Sequence, residues 1–457
     1  MRWFSVIKTL VNAWKLPEVR KKIIYTLLLI LIFRIGCMIP VPGVDSLQLA
    51  EYVESNSNSL VSTLNIISGG ALTRLSIFTL SIGPYITASI VVQLLTLAIP
   101  ALEQMKREGE EGKKKMNRIM KYLTVVLAIF EGFGVFVTYG GSQGIFLLPN
   151  YVMIPIFLLT VTAGTAFLTW LGDQITEKGI GNGISMLIFV GIVSALPAAI
   201  TLLLDVAGVL VGAISLTGVL TALGIALGAL LLVAAVVFVQ EAERRIPVQY
   251  AKRVVGRKMY GGQSTHIPMK LVMAGVIPII LAMALMTFPA LIVSFLKPEL
   301  MNNIADGSGF LRGLVLISQP SLLISAQAAI TLESIIYVLI HSIIYMLLIV
   351  GFTFFYTLIT FNPIEVSNNL KRNGGFVPGI RPGKPTSDYL KGIANKLTWF
   401  GSVYLGIVAI IPIAFQLTGL PISFGGTAVL IIVGVALEFM KQLESQMLIR
   451  NYKGFLE

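Results

Sequence analysis

Residues 184–240 are 57 apolar-rich positions broken by one charged residue, Asp205. A single helix of that length would run ~85 Å, against the ~30 Å of a bilayer's hydrocarbon core. The run is too long for one crossing and long enough for two with a short hairpin between them. The rest of the chain is of the same kind. Apolar residues make up 56% of the 457 and charged residues 12%, about half the ~25% of a soluble domain. Mean hydropathy is +0.86. No interior of this size can hide so much apolar surface from water, so lipid is the solvent for much of it. Low charge excludes a disordered chain. The single cysteine, Cys37, excludes a disulfide scaffold, and long apolar runs without alternation exclude a β-barrel.

A spanning helix needs ~20 apolar residues. The sequence predicts ten, over 23–39, 75–99, 119–138, 151–171, 184–204, 216–240, 271–296, 333–360, 397–416 and 424–440. With residue 1 inside, 30 of the 34 Lys and Arg fall on the inner side. Arg74, Lys297 and Arg312 fall outside, and Arg34 lies within the first span. Basic residues stay on the cytoplasmic side, so both termini are expected there. The first apolar run starts late with no small-residue cleavage site after it, which marks a retained span. The expected fold is an all-α polytopic membrane protein. Ten spans divide into an N-terminal half, 1–204, and a C-terminal half, 205–440, followed by a tail, 441–457. A second half that starts after five crossings runs inverted to the first, which places a functional centre at the midplane.

Some segments break the pattern. Residues 60–73, with Gly69-Gly70, reach only ~20 Å as helix. They are either an amphipathic piece on the outer surface or a half-helix dipping into a water-lined cavity. Pro84, Pro155, Pro197, Pro278, Pro289 and Pro412 lie in or near spans, mostly as kinks. Thr87, Gln93 and Thr96 give the second span polar groups suited to interhelical hydrogen bonds.

Enzyme chemistry is missing. Ionisable groups in spans are few: Arg34, Glu131, His341 and Glu333 near an end. That is little for a proton or sodium path. The histidines are His266 and His341, with no zinc motif, so no catalytic, metal or cofactor residue is assigned. The stretch 374–384 fails as a phosphate loop, because Pro378 replaces its glycine and Pro385 its hydroxyl residue. GIGNG at 179–183 opens a membrane helix with no strand before it. What remains are two basic loops on the inner side. Loop 241–270 carries Arg244, Arg245, Lys252, Arg253, Arg257 and Lys258. Loop 361–396 carries Lys371, Arg372, Arg381, Lys384, Lys391 and Lys396 among five glycines and four prolines. They are either topogenic charge alone or a docking surface for an acidic or polyanionic partner such as ribosomal RNA.

Several stretches carry a resemblance: SGGALTRLSIF at 68–78, GPYITASIVVQLLT at 83–96, EKGIGNGISMLIFVGIV at 177–193, QSTHIPMKLVMAGVIP at 263–278, FNPIEVSNNLKRNGGFVPGIRPG at 361–383 and FGGTAVLIIV at 424–433. In order and over nearly the whole chain, they resemble the SecY family, the main subunit of the protein-conducting channel. The resemblance implies an hourglass pore between two inverted halves. Its waist would be a ring of Ile82, Ile86, Ile188, Ile192, Ile280 and Ile431. A narrow apolar ring dewets and resists ions without gripping a passing polypeptide. Residues 60–73 would then be a plug, with Leu64, Ile67, Ser68, Gly69, Gly70 and Arg74. Thr87, Gln93 and Phe288 would lie along a lateral gate, where a signal sequence partitions toward lipid. Arg381, in GIRPG, would meet the SecA motor ATPase and the ribosome, with Arg244, Arg245, Lys252, Arg253, Arg257 and Lys258 of loop 241–270. The other implied partners are SecE-like and SecG-like small membrane subunits, signal peptides, nascent chains and the bilayer of the bacterial inner (plasma) membrane. A secondary transporter would need acidic residues at the midplane and no large docking loops. An intramembrane enzyme would need residues this chain lacks.

Overall fold

The computed structural model describes residues 11, 13–49, 70–140, 144–209, 215–250, 253–255, 258–260, 264–296, 309–320, 331–416 and 426–453. The chain is mostly helical. In order it forms α1 (Pro17–Gly36), α2 (Gly83–Ala98), α3 (Pro100–Arg107), α4 (Glu110–Gly140), α5 (Asn150–Lys178), α6 (Gly183–Val193), α7 (Leu196–Val206) and α8 (Leu216–Glu241). Four strands follow: β1 (Glu243–Tyr250), β2 (Arg253–Val255), β3 (Lys258–Tyr260) and β4 (Ser264–Lys270). Then come α9 (Ile277–Leu296), α10 (Phe310–Ser318), α11 (Leu332–Thr360), α12 (Pro363–Arg372), β5 (Gly375–Phe376), α13 (Lys384–Gln416) and α14 (Gly426–Lys453).

Each of the ten expected spans contains helix among its described residues, though several of those helices are shorter than the expected span. Among the described residues seven helices are long and apolar enough to cross a membrane by length and composition, and two further apolar helices are shorter. This is a multi-pass membrane protein. Helix α8 is apolar nearly all round, as a lipid-facing helix must be. Leu220, Leu227, Leu231 and Phe238 of α8 are all exposed in the protein alone. The long run that opened the sequence is divided, with helix over 183–206 and again over 216–241. Its first part is itself split between α6 and α7, where the Ser194 hydroxyl donates to the Gly191 carbonyl and Pro197 sits in the first turn of α7.

The second span differs from its expected range. Helix begins at Gly83, with Pro84 in its first turn, and not at residue 75. Residues 70–82 are turns instead. Leu75 and Ser81 have φ of 40° and 51°, the left-handed region that side-chain-bearing residues avoid. Their backbone groups find partners across the chain: Val41 N–H donates to the Leu75 carbonyl at 2.9 Å and Ile77 N–H to the Ile39 carbonyl at 3.0 Å. The Phe78 ring stacks on Phe33 and Phe167, and fits because Gly36 has no Cβ to collide with it. Hydropathy alone does not separate such a packed turn from the helix it leads into.

The chain divides into two compact units. The first comprises Met1–Gly218, Met286–Val338 and Val435–Glu457. In it α4 packs against α2 and α5, around a core of Leu72, Leu75, Phe136, Met153 and Phe157. The short helix α10 lays Val315 and Leu316 on Ala290 and Val293 of α9 and against Tyr337 of α11. An Arg312–Glu333 ion pair at 2.6 Å closes that contact.

The second unit comprises Val219–Leu285 and Leu339–Gly434. Here loop 241–270 adds what the helical expectation did not include, an antiparallel sheet of order β4-β1-β5, with β2 and β3 as a separate pair. Register runs from Glu243 opposite Lys270 to Gln249 opposite Ser264, and Tyr250 faces Gly375 of β5. The cause is a period of two inside the charged loop. Ile246 and Val248 face inward while Arg245, Pro247 and Gln249 face out. Ile246, Val248 and Met269 share one core with Leu370 of α12 and Leu390, Ile393 and Leu397 of α13. The two basic loops therefore fold as one layer.

Leu390 is fully buried in that layer. Leu390→Ala is expected to destabilise it by about 2–5 kcal/mol through lost contacts and a cavity. Hydrogen exchange reads this as faster exchange of the β1 amides, with those of α5 unchanged.

Candidate functional site

The proposed ring residues fall in both units. In the first, Ile82 is buried just ahead of α2 and Ile86 is half-buried in its first turn, with Ile86 N–H donating to the Ile82 carbonyl at 3.0 Å. Ile188 and Ile192 are buried four residues apart on α6, so they share a face. In the second unit Ile280 is half-buried on α9 and Ile431 is 3% exposed on α14.

Helix α6 is held in place by the glycine motif that precedes it. Asn182 caps the helix, its side-chain oxygen accepting from Ile184 and Ser185 N–H at 3.1 and 3.4 Å. Gly181 adopts φ 93°, open to glycine at no steric cost. Gly183 lies against the Gly172 carbonyl of α5, where a Cβ would collide. The Thr176 hydroxyl accepts from Gly183 N–H, and the Thr26 hydroxyl from Ile180 N–H. The motif is thus a tight helix-to-helix turn, with no phosphate needed to explain its glycines.

Of the expected plug, Leu64, Ile67, Ser68 and Gly69 lie outside the described residues. Gly70 has φ 87°, and the chain then re-enters the core of the first unit through Ala71 and Leu72, leaving Arg74 exposed.

Two of the expected gate residues lie on α2. Gln93 donates to Ser89 on its own helix at 3.1 Å. The Thr87 hydroxyl lies within reach of two acceptors, the Gly83 carbonyl at 3.2 Å and the Glu131 carboxylate of α4 at 3.5 Å. Sequence reading noted Glu131 as an ionisable group in a span and did not attach it to the gate. A Cβ on Gly83 would stand 3.6 Å from the other Glu131 oxygen, so the carboxylate sits at the N-terminal turn of α2. The helix dipole there favours negative charge. Phe288, on α9, is 44% exposed.

The expected docking residues are spread over both loops, and only some fall on the layer that the loops build together. Arg244 and Arg245 are exposed on β1, and Arg245 pairs with Glu243 at 2.8 Å. Arg253 falls on β2 and Lys258 on β3, whereas Lys252 and Arg257 lie outside the described residues. Arg381 is exposed in a turn of fixed shape. Gly379 and Gly383 have φ 80° and 100°, the Ser367 hydroxyl donates to the Gly383 carbonyl at 2.7 Å, and Thr386 donates to the Arg381 carbonyl at 2.8 Å. A guanidinium held out from such a turn suits two-point contact with carboxylate or phosphate. Among the described residues, no three His, Cys, Asp or Glu come together in a way that could hold a metal.

Comparison with known proteins agrees with this architecture. A family sequence model described as SecY matches residues 76–440. A protein translocase subunit SecY from Streptomyces scabiei is 43% identical, covering 97% of this chain and 98% of its own. Two solved structures share the fold. One is a SecY whose plug domain stabilises the closed state of the translocation channel and maintains a membrane seal, with TM-score 0.60, 20% identity and coverage of 93% of this chain and 92% of that one. The other is Sec61 in the canine ribosome-channel complex from the endoplasmic reticulum, with TM-score 0.56, 19% identity and the same coverage.

Gly183→Val should push the start of α6 away from α5 and lower the yield of folded protein, because the obstacle is backbone and cannot rotate aside. Gly228→Ala on α8 meets nothing within 4 Å and should be neutral or stabilising, by up to ~1 kcal/mol. Monodisperse yield in detergent and melting temperature separate the two.

Proposed function

Because the chain belongs to the SecY family, we propose that it is the channel-forming subunit of a protein translocase. It passes unfolded secretory polypeptides across the membrane and releases membrane-protein segments sideways into lipid. The observation that carries this reading is 43% identity to a translocase subunit over 97% of the chain. It is not an enzyme. The pore is passive, and partners supply the drive.

In this reading the ten spans form two inverted halves, 1–204 and 205–440, with the tail 441–457 and both termini cytoplasmic, in the bacterial inner membrane. Ile82, Ile86, Ile188, Ile192, Ile280 and Ile431 form the apolar waist. Residues 60–73 plug it from the outer side, as the plug domain seals the related SecY. A signal sequence enters by Thr87, Gln93 and Phe288 and gains free energy by moving its apolar residues toward lipid. The basic layer with Arg381 receives the SecA motor or the ribosome. Likeness to Sec61 of a ribosome-channel complex supports the second, and small SecE-like and SecG-like subunits complete the assembly.

Ile431→Asn tests the ring. If that position faces a dewetted waist, the amide recruits water and weakens the closed state. A reporter with a defective signal sequence is then exported more at equal channel abundance. If Ile431 packs only against neighbours, the amide is a buried polar group costing about 1–3 kcal/mol. Abundance then falls with no gain in export, and Ile431 leaves the ring.

Arg381→Glu tests docking. It turns attraction to a carboxylate or phosphate into repulsion and costs about 2–5 kcal/mol of partner binding, a factor of ~30 or more. Motor-driven transport into vesicles should fail while the protein inserts and folds. Near-normal transport counts against the assignment.

A further inference from the structure

A helix start leaves its first N–H groups without intrahelical partners, and within a membrane no bulk water stands by to take them. At the start of α6 these donors are met in two ways. Ile184 and Ser185 N–H go to the Asn182 side chain, which is exposed and which water can replace. Gly183 N–H goes to the Thr176 hydroxyl of α5 at 2.9 Å, and Ile180 N–H, in the turn before, goes to the Thr26 hydroxyl of α1 at 3.2 Å. Thr26 is 3% exposed and Ile180 is fully buried. Both threonines donate their own proton to the carbonyl four residues back, Thr176 to Gly172 and Thr26 to Lys22, each at 2.9 Å. That leaves each hydroxyl oxygen held as an acceptor for the turn.

The turn has little freedom to adapt. Ile180 packs with Val19 of α1 and Leu443 of α14. The backbones of α5 and α6 meet at Gly172 and Gly183, with no side chain between them to give way. Helix α6 is itself short, 11 residues from Gly183 to Val193, and the chain turns again at 194–195 before α7. It is a rod whose depth and rotation are set at its first turn. Ile188 and Ile192 lie ~7.5 and ~13.5 Å along it from Gly183, so a rotation at the start is carried to both.

We propose that Thr176 and Thr26 are positioning residues for the channel waist: their hydroxyls fix the start of α6 and, through it, the direction in which Ile188 and Ile192 are presented. This rests on the channel reading, in which those two isoleucines belong to the ring. With the Thr176 hydroxyl gone, Gly183 N–H is left unpaired and turns toward the exposed side of the turn at Asn182. The rod rotates with it, and Ile188 and Ile192 no longer meet the other ring residues squarely. Loss of the Thr26 hydroxyl frees Ile180 N–H and loosens the same turn from the α1 side. Valine has the shape of threonine and lacks the acceptor; serine keeps the acceptor and lacks only the methyl group.

The test uses the full chain with the subunits that co-purify. Resting ion conductance is measured in planar bilayers and expressed per reconstituted complex, so that a lower yield of a variant does not enter. Export of two reporters, one with an intact and one with a defective signal sequence, is measured in cells at known channel abundance. Thr176→Val and Thr26→Val should each raise resting conductance and defective-signal export about fivefold or more. Thr176→Ser and Thr26→Ser should behave as wild type. Thr169→Val is the control for a merely structural loss: Thr169 is buried on α5 and returns its hydroxyl to the Thr165 carbonyl of its own helix, so conductance and export should not change. Wild-type conductance per complex in Thr176→Val overturns the inference. So does a serine variant that leaks like the valine variant, or a Thr169→Val variant that leaks as much. If Ile431→Asn leaks while Thr176→Val does not, the ring stands and the positioning role alone falls. Failure of the wild-type chain to export the intact-signal reporter would instead remove the channel reading, and this inference with it.

Discussion

A peptide group in hydrocarbon has no water to bond to, so each break in a membrane helix must bring its own partners. This constraint accounts for the placement of the hydroxyl residues. At 75–82 the backbone is not helical; Ser76 accepts from Phe78 N–H, Ile39 and Val41 bond to Ile77 and Leu75, and turns within 71–83 supply further bonds. At 179–183 the turn between α5 and α6 is closed by Thr26 and Thr176. Within unbroken helices Thr165, Thr169, Thr353, Thr357 and Thr398 return their hydroxyls to the carbonyl four residues back. A hydroxyl used this way crosses the membrane without a partner on another helix.

Close backbone approach is the second consequence. Gly164 lies against the Ile77 carbonyl, Gly183 against the Gly172 carbonyl and Gly426 against the Val408 carbonyl. Without a hydrophobic force between helices in lipid, such contacts and the dispersion they allow hold spans together. Each removes a side chain where two backbones meet, and the first two position the segments that lead into Ile82 and Ile188.

On the water side the balance is different. Two loops rich in Lys and Arg repel each other, but exposed charges are screened within about a Debye length. The core of Ile246, Val248, Met269, Leu390 and Leu397 is hidden from water and holds them together. Cations are thereby concentrated on one surface while its interior is as apolar as a small soluble domain.

The sequence by itself determined the solvent, the span positions and the basic loops, because hydropathy and charge add up residue by residue along the chain. It also carried the family resemblance in ordered motifs such as GIRPG and GIGNG. Tertiary structure decided what depends on residues far apart in sequence. Helix α2 starts at Gly83 because Leu75 and Ile77 bond to Val41 and Ile39, which hydropathy cannot register. The sheet in loop 241–270 exists because Ile246 and Val248 find α12 and α13, more than a hundred residues away. Glu131 joins Thr87 only because α4 packs on α2, and Phe354 meets Trp399 only because α13 returns beside α11. A one-dimensional pattern records how apolar or charged each position is; which side chains come within a few ångströms is set by how the helices pack.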